Sequence, residues 1–322
     1  MNEDAKFSPP TNPYLAPAPL ESEPSAPADS LIASSEANRK PRIWTVFAAF
    51  VAAFVGTIVL SIVGAVVVVV WYFANGGASG DLPAELPKFI TQPAPFIFLA
   101  ALSQLGIFVA AIIPAWLSPE PLIQRLGLIK PRLPLWQWPV LVIGGIIPFA
   151  FGMFCAIAVS WVIPADESVA SLYEQMTPVM AIPFIFFIAI APGFNEEMLF
   201  RGYMQRRLLA RWNPWAAILV ASFLFALLHI MPHPMALAFP VGIWLGVLAW
   251  RTESTWPGIV SHAAFNGLWN IYVIGSRLKY LPDPLPVWFH VLFFGIAGVC
   301  CLASIVLLVR MKPAVAHPAP PS

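Results

Sequence analysis

The stretch from Ala191 to Arg207 reads Ala-Pro-Gly-Phe-Asn-Glu-Glu-Met-Leu-Phe-Arg-Gly-Tyr-Met-Gln-Arg-Arg and follows directly on the apolar run 181–191. It sets Glu196 and Glu197 side by side, with Arg201 four residues beyond the second. A carboxylate in or at the edge of a bilayer costs on the order of 3 kcal/mol on insertion scales, so it marks a functional site and requires a partner. On a helix Glu197 and Arg201 are i, i+4 neighbours in the favourable acid-first order, whereas Glu196 is turned roughly 100° away. Glu197 with Arg201 therefore reads as a clamp, and Glu196 as the carboxylate free for chemistry.

Two further pairs share the spacing of four that puts both side chains on one helix face: Phe225 with His229, and His262 with Asn266. Alone, either histidine or Asn266 reads as an interhelical hydrogen-bond partner. The Glu-Glu-Arg group alone reads as the start of a solvated basic helix. Three such groups in separate apolar segments make a different set: a free carboxylate to act as general base on water, with His and Asn donors to hold a developing oxyanion. His233, His290 and His317 stand outside this set, and Gly242 with Gly246 forms a small-residue face suited to close helix packing.

These groups must be positioned by membrane helices. Of the 322 residues 59% are hydrophobic and 10% charged, and the mean hydropathy is +0.78, outside the range of soluble globular chains. The expected fold is all-α, a polytopic bundle of about eight spans at 43–74, 93–117, 136–163, 179–191, 214–230, 235–250, 256–274 and 286–309. The helix of the fourth is expected to continue past the Glu pair to Arg211, with a kink at Pro192-Gly193. Residues 1–42, rich in Pro, Ala and Ser, read as a disordered tail, 43–311 as the transmembrane domain with its core at 178–275, and 312–322 as a second disordered tail. Cys155, Cys300 and Cys301 lie in apolar runs without ligand spacing. A net charge of +1, with basic residues scattered among short loops, excludes a nucleic-acid partner.

The loop charges set an expected sidedness. Arg39 to Arg42, then Arg125, Lys130 and Arg132, then Arg206, Arg207 and Arg211, then Arg251, then Arg310 and Lys312 fall in alternate loops, which the positive-inside rule places in the cytoplasm with both termini. The opposite loops hold Asp81, Glu85, Asp166, Glu167 and Glu174, with Arg277 and Lys279 as exceptions. Trp136, Trp138, Trp212, Trp215, Trp250 and Trp256 fall at span ends, as an interfacial belt does.

Glu196-Glu197-x-x-x-Arg201, Phe225-x-x-x-His229 and His262-x-x-x-Asn266, in this order on successive segments, resemble the three motifs of the CAAX protease and bacteriocin-processing family, which includes the type II CAAX prenyl endopeptidases. The resemblance covers about 179–274 and includes Phe200-Arg201-Gly202-Tyr203. It implies a helical intramembrane glutamic endopeptidase of the cell membrane with a cavity open to the cytosol, acting on membrane-anchored protein or peptide substrates, prenylated in some members. By position Glu196 would activate water, His229 would assist in placing it, His262 and Asn266 would form the oxyanion hole, and Glu197 and Arg201 would support them. No cofactor is implied. A zinc site built from His229, His262 and Glu196 is the nearest alternative; no His-Glu-x-x-His occurs, and Glu197, paired with Arg201, would be a poor base beside the metal. A scaffold, a transporter or a bacteriocin-immunity protein using the same polar cluster is the non-catalytic alternative.

Overall fold

The computed structural model describes residues 42–77, 80, 82–118, 120–164 and 168–311. The expected tails, and the loop charges at Arg39, Lys40, Asp81, Asp166, Glu167 and Lys312, lie outside the described residues. Within them the chain forms helices joined by turns, with no strand. The helices that matter for the site are α1 (Trp44–Ala74), α2 (Leu82–Ile90), α3 (Pro93–Trp116), α4 (Leu135–Ser160), α5 (Ser168–Glu174), α6 (Pro178–Leu209), α7 (Pro214–Leu227), α8 (Pro232–Thr252), α9 (Trp256–Arg277) and α10 (Val287–Arg310).

Proline and cap residues explain where several of these begin. α3, α6, α7, α8 and α9 each have proline in the first turn, where its missing N–H costs nothing, and Thr177 and Asn213 cap α6 and α7 through Met180 N and Ala216 N. Among the described residues six helices, α1, α3, α4, α6, α8 and α10, are long and apolar enough to cross a membrane. This protein is a multi-pass helix bundle, and of the eight expected spans those at 214–230 and 256–274 fall outside these six. α7 is apolar yet only 14 residues long, roughly 21 Å against a hydrocarbon core of about 30 Å. α9 has 22 residues but carries Ser261, His262, Asn266 and Asn270, which lower its hydropathy.

Burial identifies the centre of the bundle. Every residue from Met198 to Gln205 on α6 is buried, while α1 and α10 expose rows of Val, Ile and Leu such as Val55, Val59, Ile62, Val66, Val299 and Leu302. Those rows belong against lipid. α3 packs on α1 and on the Ala191–Glu197 part of α6, α9 crosses that same part, and α8 packs on α7 and on the second half of α4. The main core gathers Met198, Phe200, Tyr203 and Met204 of α6 with Ile107 and Ala111 of α3 and Ala221, Leu224 and Phe225 of α7.

The expected kink at Pro192-Gly193 takes another form. α6 continues through both residues, and its departures from α geometry are two stretches of wider, π-type turns, Phe186–Ile190 and Met198–Gln205, on either side of Ala191–Glu197. Pro192 has no N–H for the carbonyl of Ile188, and its ring needs room against that turn; widening the helix supplies the room without breaking it.

The loops that the charge pattern assigns to one side are gathered at one end of the bundle. Arg207 Nη1 donates to Thr45 Oγ1 at 3.2 Å, Arg132 Nη1 lies 2.7 Å from Glu253 Oε1, Arg206 Nη1 donates to Glu253 O, and Arg251 Nη1 donates to Met311 O. At the other end Ser171 bonds Thr91, and His233, in the first turn of α8, bonds Ile163 O.

Candidate active site

Glu197 sits at the centre of the polar cluster and is 0% exposed, with Arg201 at 1%, His262 at 4% and Glu196 at 7%. Arg201 Nη1 donates to Glu197 Oε1 at 2.7 Å and Arg201 Nη2 to Gly242 O on α8 at 3.0 Å. The same carboxylate oxygen lies 3.0 Å from His262 Nδ1 on α9. Since an ionised carboxylate only accepts, the proton of that contact is on Nδ1. The i, i+4 clamp is therefore shared: one oxygen of Glu197 orients both a guanidinium and an imidazole. The other oxygen, Oε2, is buried without a hydrogen-bond partner, and a Cβ at Gly258 would stand 3.0 Å from it.

Glu196 is directed to different neighbours. It has no arginine, in keeping with its different helix face, but it is not unpartnered: Gln104 Nε2 on α3 donates to Glu196 Oε1 at 3.2 Å. Asn195 Nδ2 in turn donates to both the Oε1 and the backbone O of Gln104, each at 3.2 Å. Glu196 Oε2 lies 4.0 Å from His262 Nε2, too far for a direct hydrogen bond. So Gln104 holds one oxygen of Glu196 and leaves the other toward the imidazole.

His229 is placed differently from the expectation. α7 ends at Leu227, so His229 lies in the turn beyond the helix and not on its last face. Its Nδ1 bonds Phe225 O at 3.0 Å, within the run of carbonyls that a helix end leaves open, and Ile230 follows at φ 60, where a β-branched residue is strained. The Phe225 ring joins the groups: its centroid is 5.1 Å from the His229 ring, 5.7 Å from the His262 ring and 4.4 Å from Arg201 Cζ.

Asn266, one turn beyond His262, donates from Nδ2 to Ile188 O at 3.2 Å. That carbonyl is the one whose α-helical donor Pro192 lacks, so the proline in α6 and the amide in α9 answer each other. Asn270 Nδ2 donates to Asn266 O at 2.8 Å, and Tyr173 Oη of α5 donates to Asn270 Oδ1 at 2.6 Å. Burial pushes the Tyr173 phenol up to about 12, which keeps it a neutral donor.

The structure thus joins Glu197, Arg201 and His262 directly, sets Glu196 4.0 Å from the His262 imidazole, brings His229 in through Phe225, and anchors Asn266 on the α6 backbone beside them. Sequence reading missed Gln104, Tyr173, Asn270 and Gln205. Gln104 carried a usable signal, a lone amide in the apolar segment 93–117, of the kind that marks an interhelical contact. The Gly242 and Gly246 face does serve close packing, since an added Cβ at Gly246 would come within 2.9 Å of Ile218 Cγ2; it also bares two carbonyls, which take Arg201 Nη2 and Gln205 Nε2. Among the described residues no group of three His, Cys, Asp or Glu side chains is arranged to hold a metal ion.

No curated protein and no solved structure matches the chain. A family model does match, the one described as type II CAAX prenyl endopeptidase Rce1-like, and it covers residues 178–268, from the start of α6 through Asn266 on α9. That segment contains all three motifs, and the helices before it supply Gln104 and Tyr173 from outside the match. Residues 178–268 of this integral membrane protein therefore match an Rce1-like domain, the model described for type II CAAX prenyl endopeptidases.

Proposed function

We propose that this protein is an intramembrane glutamic endopeptidase that hydrolyses a peptide bond in membrane-anchored protein or peptide substrates, including prenylated ones. The observation that carries the reading is the division of labour between two adjacent buried carboxylates: Glu197 is committed to Arg201 and His262, while Glu196 has one oxygen held by an amide and the other left beside an imidazole.

In this mechanism Glu196 takes a proton from a water, and the hydroxide attacks the scissile carbonyl carbon. The negative charge moves to the carbonyl oxygen, and the C–N bond breaks as Glu196 returns the proton to the leaving amine. His262 Nε2 and the Asn266 N–H not used on Ile188 O face the oxyanion. Because His262 Nδ1 already donates to Glu197, donation from Nε2 requires the imidazolium, whose charge Glu196 balances until it takes the proton of the water. His229, with Nδ1 tied to Phe225 O, presents Nε2 to the water. No metal takes part. Its location is the cell membrane, and the basic loops gathered at one end support a cytoplasmic orientation of that end, with the cavity opening there.

The test is cleavage of a farnesylated peptide by the purified full chain in lipid nanodiscs, read by mass spectrometry. Glu196→Gln keeps the contact with Gln104 and should fold normally, yet lose at least ~100-fold in rate. A chelator should leave the wild-type rate unchanged. Retained activity in Glu196→Gln removes it as the base, and loss on chelation that zinc restores replaces the mechanism with a metal-dependent one.

A further inference from the structure

At the basic end of the bundle, beyond the clamp, lies a cavity of about 460 Å³, separate from the Glu196 side of the cluster. Apart from Arg201, which is offset by Glu197, four guanidiniums line it, those of Arg125, Arg206, Arg207 and Arg251. They face two carboxylates, Glu120 and Glu253, an excess of two positive charges. Neither carboxylate is dedicated to the cavity: Glu120, 3.3 Å from Arg125, has a side chain 61% exposed, and Glu253 lies 2.7 Å from Arg132, which is not among the cavity's lining residues.

Arg207 is buried, and Arg125, Arg206 and Arg251 are half-buried. The Arg125 side chain is 10% exposed, with its Nε 3.3 Å from Glu120 Oε2, and Arg207 is 9% exposed, with its Nε buried and without a hydrogen-bond partner. Arg206, Arg207 and Arg251 spend donors on neutral oxygens, those of Glu253 O, Thr45 Oγ1 and Met311 O. Gathering four partly or fully buried guanidiniums around one cavity is unfavourable unless an anion with several acceptors completes them, and phosphate oxygens match the fork of Arg best. The rim gives the direction of supply. Trp250 lines the cavity, its ring carries the Arg251 guanidinium at 4.0 Å and lies 6.2 Å from that of Trp215, and paired tryptophans at helix ends mark the headgroup level of a bilayer.

We infer that this cavity is a phosphate-binding site, filled by the headgroup of an anionic phospholipid entering from the adjacent leaflet or by a soluble phosphate. Basic pockets between helix ends at the membrane surface are suited to such headgroups. The site is distinct from the proposed catalytic groups and does not depend on their being catalytic.

Ala210 lines the cavity and is exposed, which permits a test that leaves every arginine in place. The full chain with Cys155, Cys300 and Cys301 replaced by alanine and Ala210→Cys is placed in phosphatidylcholine nanodiscs. An anionic methanethiosulfonate should then modify Cys at 210 roughly tenfold faster than a cationic one. Protection is read with a neutral maleimide, so that surface potential does not enter, against Gln124→Cys, an exposed position at the same end but outside the cavity. Slowing at 210 and not at 124 when phosphatidylglycerol is added assigns the phosphate to lipid; the same slowing by inorganic phosphate in pure phosphatidylcholine assigns it to a soluble source. Arg251→Gln should weaken either effect. Equal rates for the two charged reagents, or no selective protection by either phosphate, overturns the site. Phosphatidylglycerol retained by the unsubstituted protein in native mass spectrometry, against phosphatidylcholine at equal abundance, checks the result without cysteine replacement.

Discussion

A single oxygen atom, Oε1 of Glu197, carries much of the site's order, because both Arg201 and His262 are aimed by it. Removing the guanidinium leaves that carboxylate buried with only the His262 imidazole beside it. Arg201→Ala should therefore cost about 3–5 kcal/mol, seen as a clear fall in Tm in detergent, and activity should fall with it. An Arg201→Ala protein as stable as wild type would mean that water reaches the pair. Gln104 acts on the neighbouring carboxylate and should behave in the opposite way. It donates one hydrogen bond that sets the rotation of Glu196, so Gln104→Leu should lower kcat roughly 10- to 100-fold while KM and Tm move little, a misplacement effect. A drop in Tm comparable to that of Arg201→Ala would make Gln104 a structural residue instead.

The elements meet at this site through a close approach between α6 and α9. At Gly193 an added Cβ would come within 2.9 Å of both the Cβ and the backbone N of Ala263, the residue after His262. Backbone atoms cannot swing aside, so Gly193→Ala must move α9 away from the Glu pair, at a cost of roughly 1–3 kcal/mol. Thermal unfolding of Gly193→Ala, Ala263→Gly and the double variant should show partial rescue only, because Ala263→Gly removes the Cβ contact and leaves the backbone one. Full rescue would place the constraint in the side chain alone. Pro192-Gly193 in the sequence suggested a bend; packed against α9, the pair has other roles, the proline freeing Ile188 O for Asn266 and the glycine admitting the neighbouring helix.

For the whole molecule the remaining question is which way the bundle faces. The basic loops converge at one end through contacts among Thr45, Arg132, Arg206, Arg207, Glu253 and Met311, and the charge rule predicts that this end faces the cytoplasm. Met204, on α6 between the site and that end, is 0% exposed and unsuited to labelling. Gln124 and Tyr280 are exposed in loops of the two opposite ends. In a cysteine-free background Gln124→Cys should react with an impermeant thiol reagent only in inside-out vesicles, and Tyr280→Cys only in right-side-out ones. The reverse pattern would invert the molecule. A substrate anchored in the bilayer gains local concentration at about 0.8 kcal/mol per buried methylene, so anchored peptides should be cleaved far faster than the same peptides without an anchor.

Composition and pattern alone determined the class of the molecule and its groups of interest: apolar runs of span length require a helix bundle, and charged or amide side chains inside such runs are too costly to be incidental. The i, i+4 relations within one helix, Glu197 with Arg201 foremost, were legible because helical geometry is local. Contacts across helices were not. That Glu197 also holds His262, that Gln104 holds Glu196, and that Gly242 and Gly246 lend their carbonyls to Arg201 and Gln205 depend on the rotation and separation of packed helices. Periodicity in one segment contains no information about its neighbour's register. The ends of helices were hidden for a related reason. α7 ends at Leu227, two residues before His229, and Ile230 then adopts a left-handed conformation that its own residue type disfavours, a preference that tertiary packing overrides.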